Sequence, residues 1–319
     1  MTALRRNISK EELYTQTKID PWFLNQLQRV IDMERKLDHA VPEENLLRDA
    51  KRLGFANTEI AFWTGMPVKE IEQLLEQYGI KRTYKLVDTC AGEFESDTPY
   101  FYGTFEQEDE AEPLKGNKAV VIGSGPIRIG QGVEFDYCSV HALQALEYAG
   151  YQSIMINNNP ETVSTDFNVS DRLYFEPLME EEVIEILKKE QAKGVFVQFG
   201  GQTAINLASS IAKAGIPILG SQPDAIDLAE DRERFDAMLE ELHLSRPAGK
   251  AVRSYQEALA AVEVLGYPVL VRPSYVLGGR GMEICYSVNE LEGYLTEAVR
   301  ISPDHPVLID RYILGQELE

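Results

Sequence analysis

The 319-residue sequence is short of cysteine, histidine, basic charge and long apolar runs, and each shortage closes off a class of protein. Its three cysteines, Cys90, Cys138 and Cys285, are odd in number and far apart, so neither a disulfide framework nor a CxxC metal clip is indicated. The four histidines, at positions 39, 141, 243 and 305, have no mutual spacing that suits a metal site or a catalytic triad. No apolar run approaches the roughly 20 residues of a membrane helix. The amino terminus, MTALRRNISKEELYTQ, also lacks the apolar core of a signal peptide, so a cytoplasmic protein without a membrane partner is expected. Basic residues number 31 against 52 acidic ones, a formal charge of −21 that repels phosphate backbones over most of the surface. A nucleic-acid partner is therefore not expected, although a few arginines in a cleft can still hold a small anion. What is present is the balance of a folded globular protein, 44% hydrophobic and 26% charged. The length suits two or three domains.

Residues 1–105 read as a helical domain. Asp20-Pro21 has the form of an N-cap followed by proline at the first helical position, with Leu24, Leu27 and Ile31 on one face. Leu46 to Leu53 and Val68 to Tyr78 are two further apolar-periodic runs, each stopped by a glycine, Gly54 and Gly79. This short-helix, turn, helix spacing also fits a DNA-reading motif. Glu70, Glu72 and Glu76 on the second helix would face phosphates, which favours simple helix packing.

The acidic stretch EQEDEAEPLKGN, residues 106–117, marks a linker. Residues 118–228 then alternate strand and helix. Strands are expected at Lys118 to Ser124, Ser153 to Asn159, Arg172 to Pro177, Gly194 to Gly200 and Ile216 to Gly220, and helices at Tyr137 to Ala149 and near 179–191 and 203–214. Such alternation means a doubly wound parallel sheet, so the fold class is α/β with an all-helical domain in front. Residues 229–319 change to an α+β layout. Ser254 with Glu257 and Ser287 with Glu290 are capping boxes, and strands flank them at Val269 to Arg272, Met282 to Tyr286 and Val307 to Ile313.

Two glycine clusters carry candidate chemistry. GSGPIRIGQG, Gly123 to Gly132, follows a strand and precedes a helix, yet Arg128 stands where a dinucleotide fingerprint needs glycine. The next strand ends in Asn157, Asn158 and Asn159 rather than in an acid for a ribose, so the loop is equally a tight turn. With NNNPETVST and GGQT it lies at the carboxyl ends of strands, where such loops gather at one crevice. Glu134 and Asp136 read either as paired acids or as a helix cap. The second cluster, PVLVRPSYVLGGRGMEICY, is strand, glycine loop, strand, a flap that can close over a triphosphate. Gly278, Gly279 and Gly281 would let backbone N–H groups approach phosphate oxygens, and Arg272 and Arg232 would supply cations. Taken singly, each arginine is better explained as a solvated surface charge and the glycines as a plain flexible hairpin; their combination favours a site.

The segments GSGPIRIGQGVEFDYCSVHA, NNNPETVSTDF, SDRLYFEP, QFGGQT, AEDRERF and RPSYVLGGRGMEI resemble, in order and spacing, the carboxyl-terminal synthetase half of the carbamoyl-phosphate synthase large subunit. IDPWFLNQLQRV, LGFANTEIAFWTG and VDTCAGEFESDTPY are similar to the same family's helical oligomerisation domain. The resemblance implies that 118–228 is a Rossmann-like pre-ATP-grasp domain and 229–319 the amino-terminal part of an ATP-grasp domain. It also implies a reaction, the ATP-dependent phosphorylation of carbamate to carbamoyl phosphate in the intact subunit, feeding pyrimidine and arginine synthesis. ATP contacts would fall on Arg232, Arg272, Gly278, Gly279, Arg311, Ile313 and Glu317, with Arg272 catalytic. Mg2+ ligands are expected beyond Glu319, so this chain alone is expected not to turn over. A glutaminase small subunit and self-association through the helical domain are the implied partners. A non-catalytic helical scaffold, or another ATP-grasp carboxylase or ligase, stands as the alternative.

Overall fold

The computed structural model describes residues 1–128, 132–273, 282–301 and 307–316. They form two compact units, one made of residues 1–126 with 133–223 and the other of residues 127–132 with 224–319.

The first unit opens with six helices: α1 (Thr2–Arg5), α2 (Lys10–Thr17), α3 (Pro21–Leu37), α4 (Glu44–Arg52), α5 (Asn57–Thr64) and α6 (Val68–Gln77). The longest, α3, starts where the sequence places it. Asp20 Oδ1 accepts from Trp22 N at 2.8 Å and Pro21 holds the first helical position, where its missing N–H costs nothing. Leu24 and Ile31 on its inner face are buried. Met33, Leu37, Leu47, Phe55, Ile60, Ile71 and Leu75 close one apolar core over α3 to α6. The α5–α6 pair is thereby explained as packing, with Ile71 and Leu75 turned inward.

Six strands follow in the same unit: β1 (Thr83–Leu86), β2 (Tyr100–Thr104), β3 (Lys118–Ile122), β4 (Gln152–Asn157), β5 (Arg172–Phe175) and β6 (Val195–Phe196). Their order is β1-β2-β5-β4-β3-β6, parallel throughout except for β1, which pairs antiparallel with β2 at the edge. β3 is buried along its whole length, as a central parallel strand covered on both faces must be. The helices of this part are α7 (Glu134–Tyr148), α8 (Glu180–Glu190), α9 (Gly201–Ile205) and α10 (Ala208–Lys213).

Two segments differ from the sequence reading. Residues 83–104, grouped above with the helical domain, supply β1 and β2, and β2 pairs with β5 from Tyr100 opposite Leu173 to Tyr102 opposite Phe175. Local periodicity could not show this, because the partner strand lies some seventy residues further on. The strand expected at Ile216 to Gly220 is reduced to one bridge, Val195 to Ile218, beside a β6 of only two residues. The linker at 106–117 is also held down. Glu110 N donates to Tyr84 O at 2.8 Å, Arg172 Nη1 donates to Glu112 O at 2.6 Å, and Leu114 N donates to Glu190 Oε2 at 3.1 Å.

The second unit holds α11 (Pro223–Glu230), α12 (Arg232–Glu241), β7 (Gly249–Val252), α13 (Tyr255–Leu265), β8 (Val269–Pro273), β9 (Glu283–Cys285), α14 (Val288–Ile301) and β10 (Val307–Arg311). The strands form an antiparallel sheet, ordered β7-β10-β8-β9. Both anticipated caps are made: Glu257 N donates to Ser254 Oγ at 3.2 Å and Glu290 N to Ser287 Oγ at 3.4 Å. Val269, Val271, Val307 and Ile309 pack from one sheet face onto Ala258, Ala261 and Val262 of α13 and Leu291 and Leu295 of α14. Among the described residues no helix is long and apolar enough to cross a membrane.

Candidate functional site

The parallel sheet reverses its strand order between β3 and β6, and crevices form at such a switch point. Here the chain is drawn together tightly. A Cβ on Gly200, just after β6, would collide with the carbonyl oxygens of Ile122 and Gly123 at the end of β3. Asn157, fully buried at the end of β4, organises the next loop. Its Oδ1 accepts from Gly125 N at 3.0 Å and from Asn158 N at 2.9 Å, and its Nδ2 donates to Ser164 Oγ at 3.2 Å. Asp136 lies inside the first turn of α7, and its Oδ2 accepts from Ser164 N at 3.2 Å. It therefore braces a neighbouring loop rather than capping its own helix. Residues 123–126 of the first polar loop thus gather with the 157–165 loop and Gly200 at one sheet edge, while residues 129–131 lie outside the described set.

In the second unit, β8 and β10 pair with Arg272 opposite Leu308 and Leu270 opposite Asp310. Side chains alternate along a strand, so Leu270, Arg272, Leu308 and Asp310 share the face turned away from α13 and α14. Arg272 and Asp310 are diagonal neighbours there, and Arg272 Nε donates to Asp310 Oδ2 at 3.0 Å. The carboxylate side chain is 12% exposed and the guanidinium side chain 40%, so the acid is the anchor and the arginine reaches outward from it. An Nε contact leaves the two terminal nitrogens, the fork that matches a phosphate, pointing away from the anchor.

The other predicted residues are placed as follows. Arg232 opens α12, whose N-cap Asp231 accepts from Arg234 N at 2.8 Å, but its side chain lies outside the described residues. Gly278, Gly279 and Glu317 also lie outside them. Arg311 ends β10 opposite Val269, on the opposite strand parity to Arg272, so the sheet does not bring these two side chains together. Ile313 is 61% exposed just beyond the strand. The residue that sequence reasoning missed is Asp310. One acid in an apolar strand carries no local signal, and its partner is 38 positions away. Cys285 is buried among the apolar residues of this unit, and burial, with Glu290 and Glu283 nearby, pushes its thiol up to about 11, which marks it as inert.

A cavity of about 990 Å³ lies in the first unit between α5, α6 and α8. Its charged wall is an ionic lock. Lys51 Nζ meets Glu181 Oε1 at 2.5 Å, and Arg82 spreads its nitrogens over Glu185 at 2.6 Å, Glu182 at 3.0 Å and Glu176 at 3.1 Å. Burial pushes Glu176 and Glu185 up despite the pull of Arg82. For Arg82 itself burial works downward, but Glu185 and Glu176 outweigh it and the guanidinium stays charged. These pairs fasten the helices onto α8.

Three family models match the chain in sequence. Residues 1–79 match the carbamoyl-phosphate synthetase large chain oligomerisation domain, 115–228 the carbamoyl phosphate synthase preATP-grasp domain, and 231–318 the carbamoyl-phosphate synthase L chain ATP binding domain. The chain belongs to the carbamoyl-phosphate synthase large-chain family. Its helical bundle, doubly wound sheet and antiparallel sheet are those three domains in order. Similar solved structures include the biotin carboxylase domain of the Hydrogenobacter thermophilus 2-oxoglutarate carboxylase, at 23% identity and TM-score 0.48 over 63% of this chain and 45% of that one. Campylobacter jejuni biotin carboxylase is similar at 17% identity and TM-score 0.47, over 62% of this chain and 45% of that chain. Phosphoribosylglycinamide synthetase from Anaerococcus prevotii gives 17% identity and TM-score 0.44, over 62% and 46% of the two chains. The chain thus spans under half the length of each of these proteins.

Proposed function

We propose that this chain is the part of a carbamoyl-phosphate synthase large subunit that begins the carbamate-phosphorylating half, and that its second unit grips the triphosphate of ATP. The observation that carries this reading is Arg272, held through Nε on one sheet face, a contact that does not use the terminal nitrogens a phosphate would meet. In phosphoryl transfer there is little covalent work for the protein, and catalysis is positioning plus neutralisation of charge on the transferring group. Arg272 is the catalytic residue in that sense, with Arg232 as a second cation and the N–H groups of Gly278 and Gly279 closing over the phosphates. Arg311 and Ile313 would meet the adenine end past the tip of β10, and Glu317 the ribose.

In the intact subunit the phosphoryl acceptor would be carbamate, with the product passing to pyrimidine and arginine synthesis in the cytoplasm. Mg2+ would add positive charge at the phosphates. Among the described residues no three acidic, histidine or cysteine side chains come together as a metal site. Every phosphate contact proposed here is made by nitrogen. A glutaminase subunit would supply ammonia. Self-association through the helical domain is supported by Trp22 and Phe23, adjacent, 61% and 57% exposed, and stacked edge to face at 5.0 Å.

The test is a MgATP titration of the chain by calorimetry, with Arg272→Ala in parallel. Loss of a charge-assisted fork should weaken binding by about tenfold or more. Equal affinity for both proteins would remove Arg272 from the site.

A further inference from the structure

We infer that Asp310 is the positioning residue for Arg272, holding its guanidinium in the one orientation that presents both terminal nitrogens to a phosphate. The inference rests on the triphosphate reading above but concerns a separate residue and a separate observable.

Four features carry it. First, the register fixes the pair: Leu270 and Arg272 stand opposite Asp310 and Leu308, so the acid is the diagonal neighbour of the arginine on one face, within reach without bending either strand. Second, the contact is made at Nε, at 3.0 Å, not at the fork. Gripping the arginine by Nε fixes its plane and keeps the fork outward. Third, the acid is buried and the base is not, with side-chain exposures of 12% and 40%. Asp310 would be a costly residue in a strand whose alternate positions Val307 and Ile309 form the core, unless its charge served a neighbour. Fourth, β10 is the second-from-edge strand, bonded to β7 on one side and β8 on the other, so the anchor is on the stiffest part of the sheet.

Ordering a long side chain before the ligand arrives removes a rotamer cost that binding would otherwise bear. The consequence is read at Arg272, not at Asp310 itself. The experiment follows the Arg272 Nε–H resonance by ¹H–¹⁵N spectroscopy of the full chain, assigned by its absence in Arg272→Lys, together with MgATP titrations. In the wild type this Nε–H should exchange with solvent measurably more slowly than the Nε–H groups of exposed arginines. The protection should be lost in Asp310→Ala and partly kept in Asp310→Asn, which retains an acceptor without the charge. MgATP affinity should fall by about tenfold in Asp310→Ala. It should fall no further when Asp310→Ala is added to Arg272→Ala, because the acid acts through the arginine.

A wild-type Nε–H that exchanges as fast as an exposed one overturns the inference without any variant. So does an Asp310→Ala penalty that is undiminished in the Arg272→Ala background, which would show a purely structural acid. If the chain binds MgATP equally well with and without Arg272, or not at all, the triphosphate reading falls. The exchange measurement then still decides whether Asp310 orients the arginine.

Discussion

Glu190 is fully buried at the end of α8 and gathers four donors. Lys118 Nζ and Leu114 N reach its Oε2, both at 3.1 Å, and Arg172 Nη1 and Tyr174 Oη reach its Oε1 at 2.7 and 2.5 Å. Burial alone would raise this carboxyl, but the bonds from Tyr174, Arg172 and Lys118 outweigh it and hold the group below the usual 4.5. A depressed folded-state value means stabilisation that is present above the unfolded value and lost as pH falls through the folded one. Glu176 and Glu185, held above 4.5, act in the opposite direction: their contribution is present at low pH and fades as pH rises through their raised values. Glu190→Gln leaves Lys118 and Arg172 buried without a counter-charge. The substitution should cost about 3–5 kcal/mol at neutral pH, with a smaller difference from wild type near pH 3, measured by urea unfolding at both values. An equal penalty at both pH values would mean that the charge does not matter there. None of these partners was legible in the sequence, where Glu190 is one of several glutamates along an amphipathic helix. What makes it a hub is the approach of β3, β5 and the 106–117 segment from elsewhere in the chain.

At the scale of elements, the boundaries that were legible are those with local chemistry. Asp20-Pro21 and the two Ser-x-x-Glu pairs announce helix starts within four residues, and the structure makes each of those bonds. β1 and β2 were not legible, because TYKL and YFYGT become strands by pairing with each other and with β5, and the intervening loop carries no alternation that separates them from turn. The 216–220 segment is the converse case. It has β-branched character but stands next to a two-residue β6, which leaves it little to pair with. Where loops cross at the switch point, glycine is needed for space rather than for backbone angle. Gly200 has φ −92, which any residue adopts, yet a methyl there meets two backbone carbonyls that cannot rotate away. Gly150 has φ +76 and open space around its Cα. Gly200→Ala should therefore lower stability by about 1–3 kcal/mol and displace the Gly123 loop, whereas Gly150→Ala should cost about 1 kcal/mol. Thermal melts of the two variants, with the Gly125 and Asn158 amides followed by hydrogen exchange, check this. Faster exchange is expected in the first variant alone.

At the scale of the whole molecule, the family and the α/β class were readable from motifs, since glycine loops and caps are short local strings. The candidate site was readable only in part. Arg272 could be named from its place after an apolar strand, while the residue that aims it came from the register of a sheet. The helical bundle and the doubly wound sheet share one compact unit. Lys51, buried, and Arg82, half-buried, are ion-paired with α8, and β1 and β2 run directly from the bundle into the sheet.

That last feature bears on any attempt to study the parts separately. Trimming the polypeptide at residue 105 would remove β2 from alongside β5 and bare the backbone amides and carbonyls of Arg172 to Phe175 that pair with it, on a mostly apolar strand. Such a margin invites another copy to add itself strand to strand. A product beginning at residue 106 should therefore precipitate or sediment as large particles, while one beginning near residue 80, with both outer strands retained, should stay dispersed.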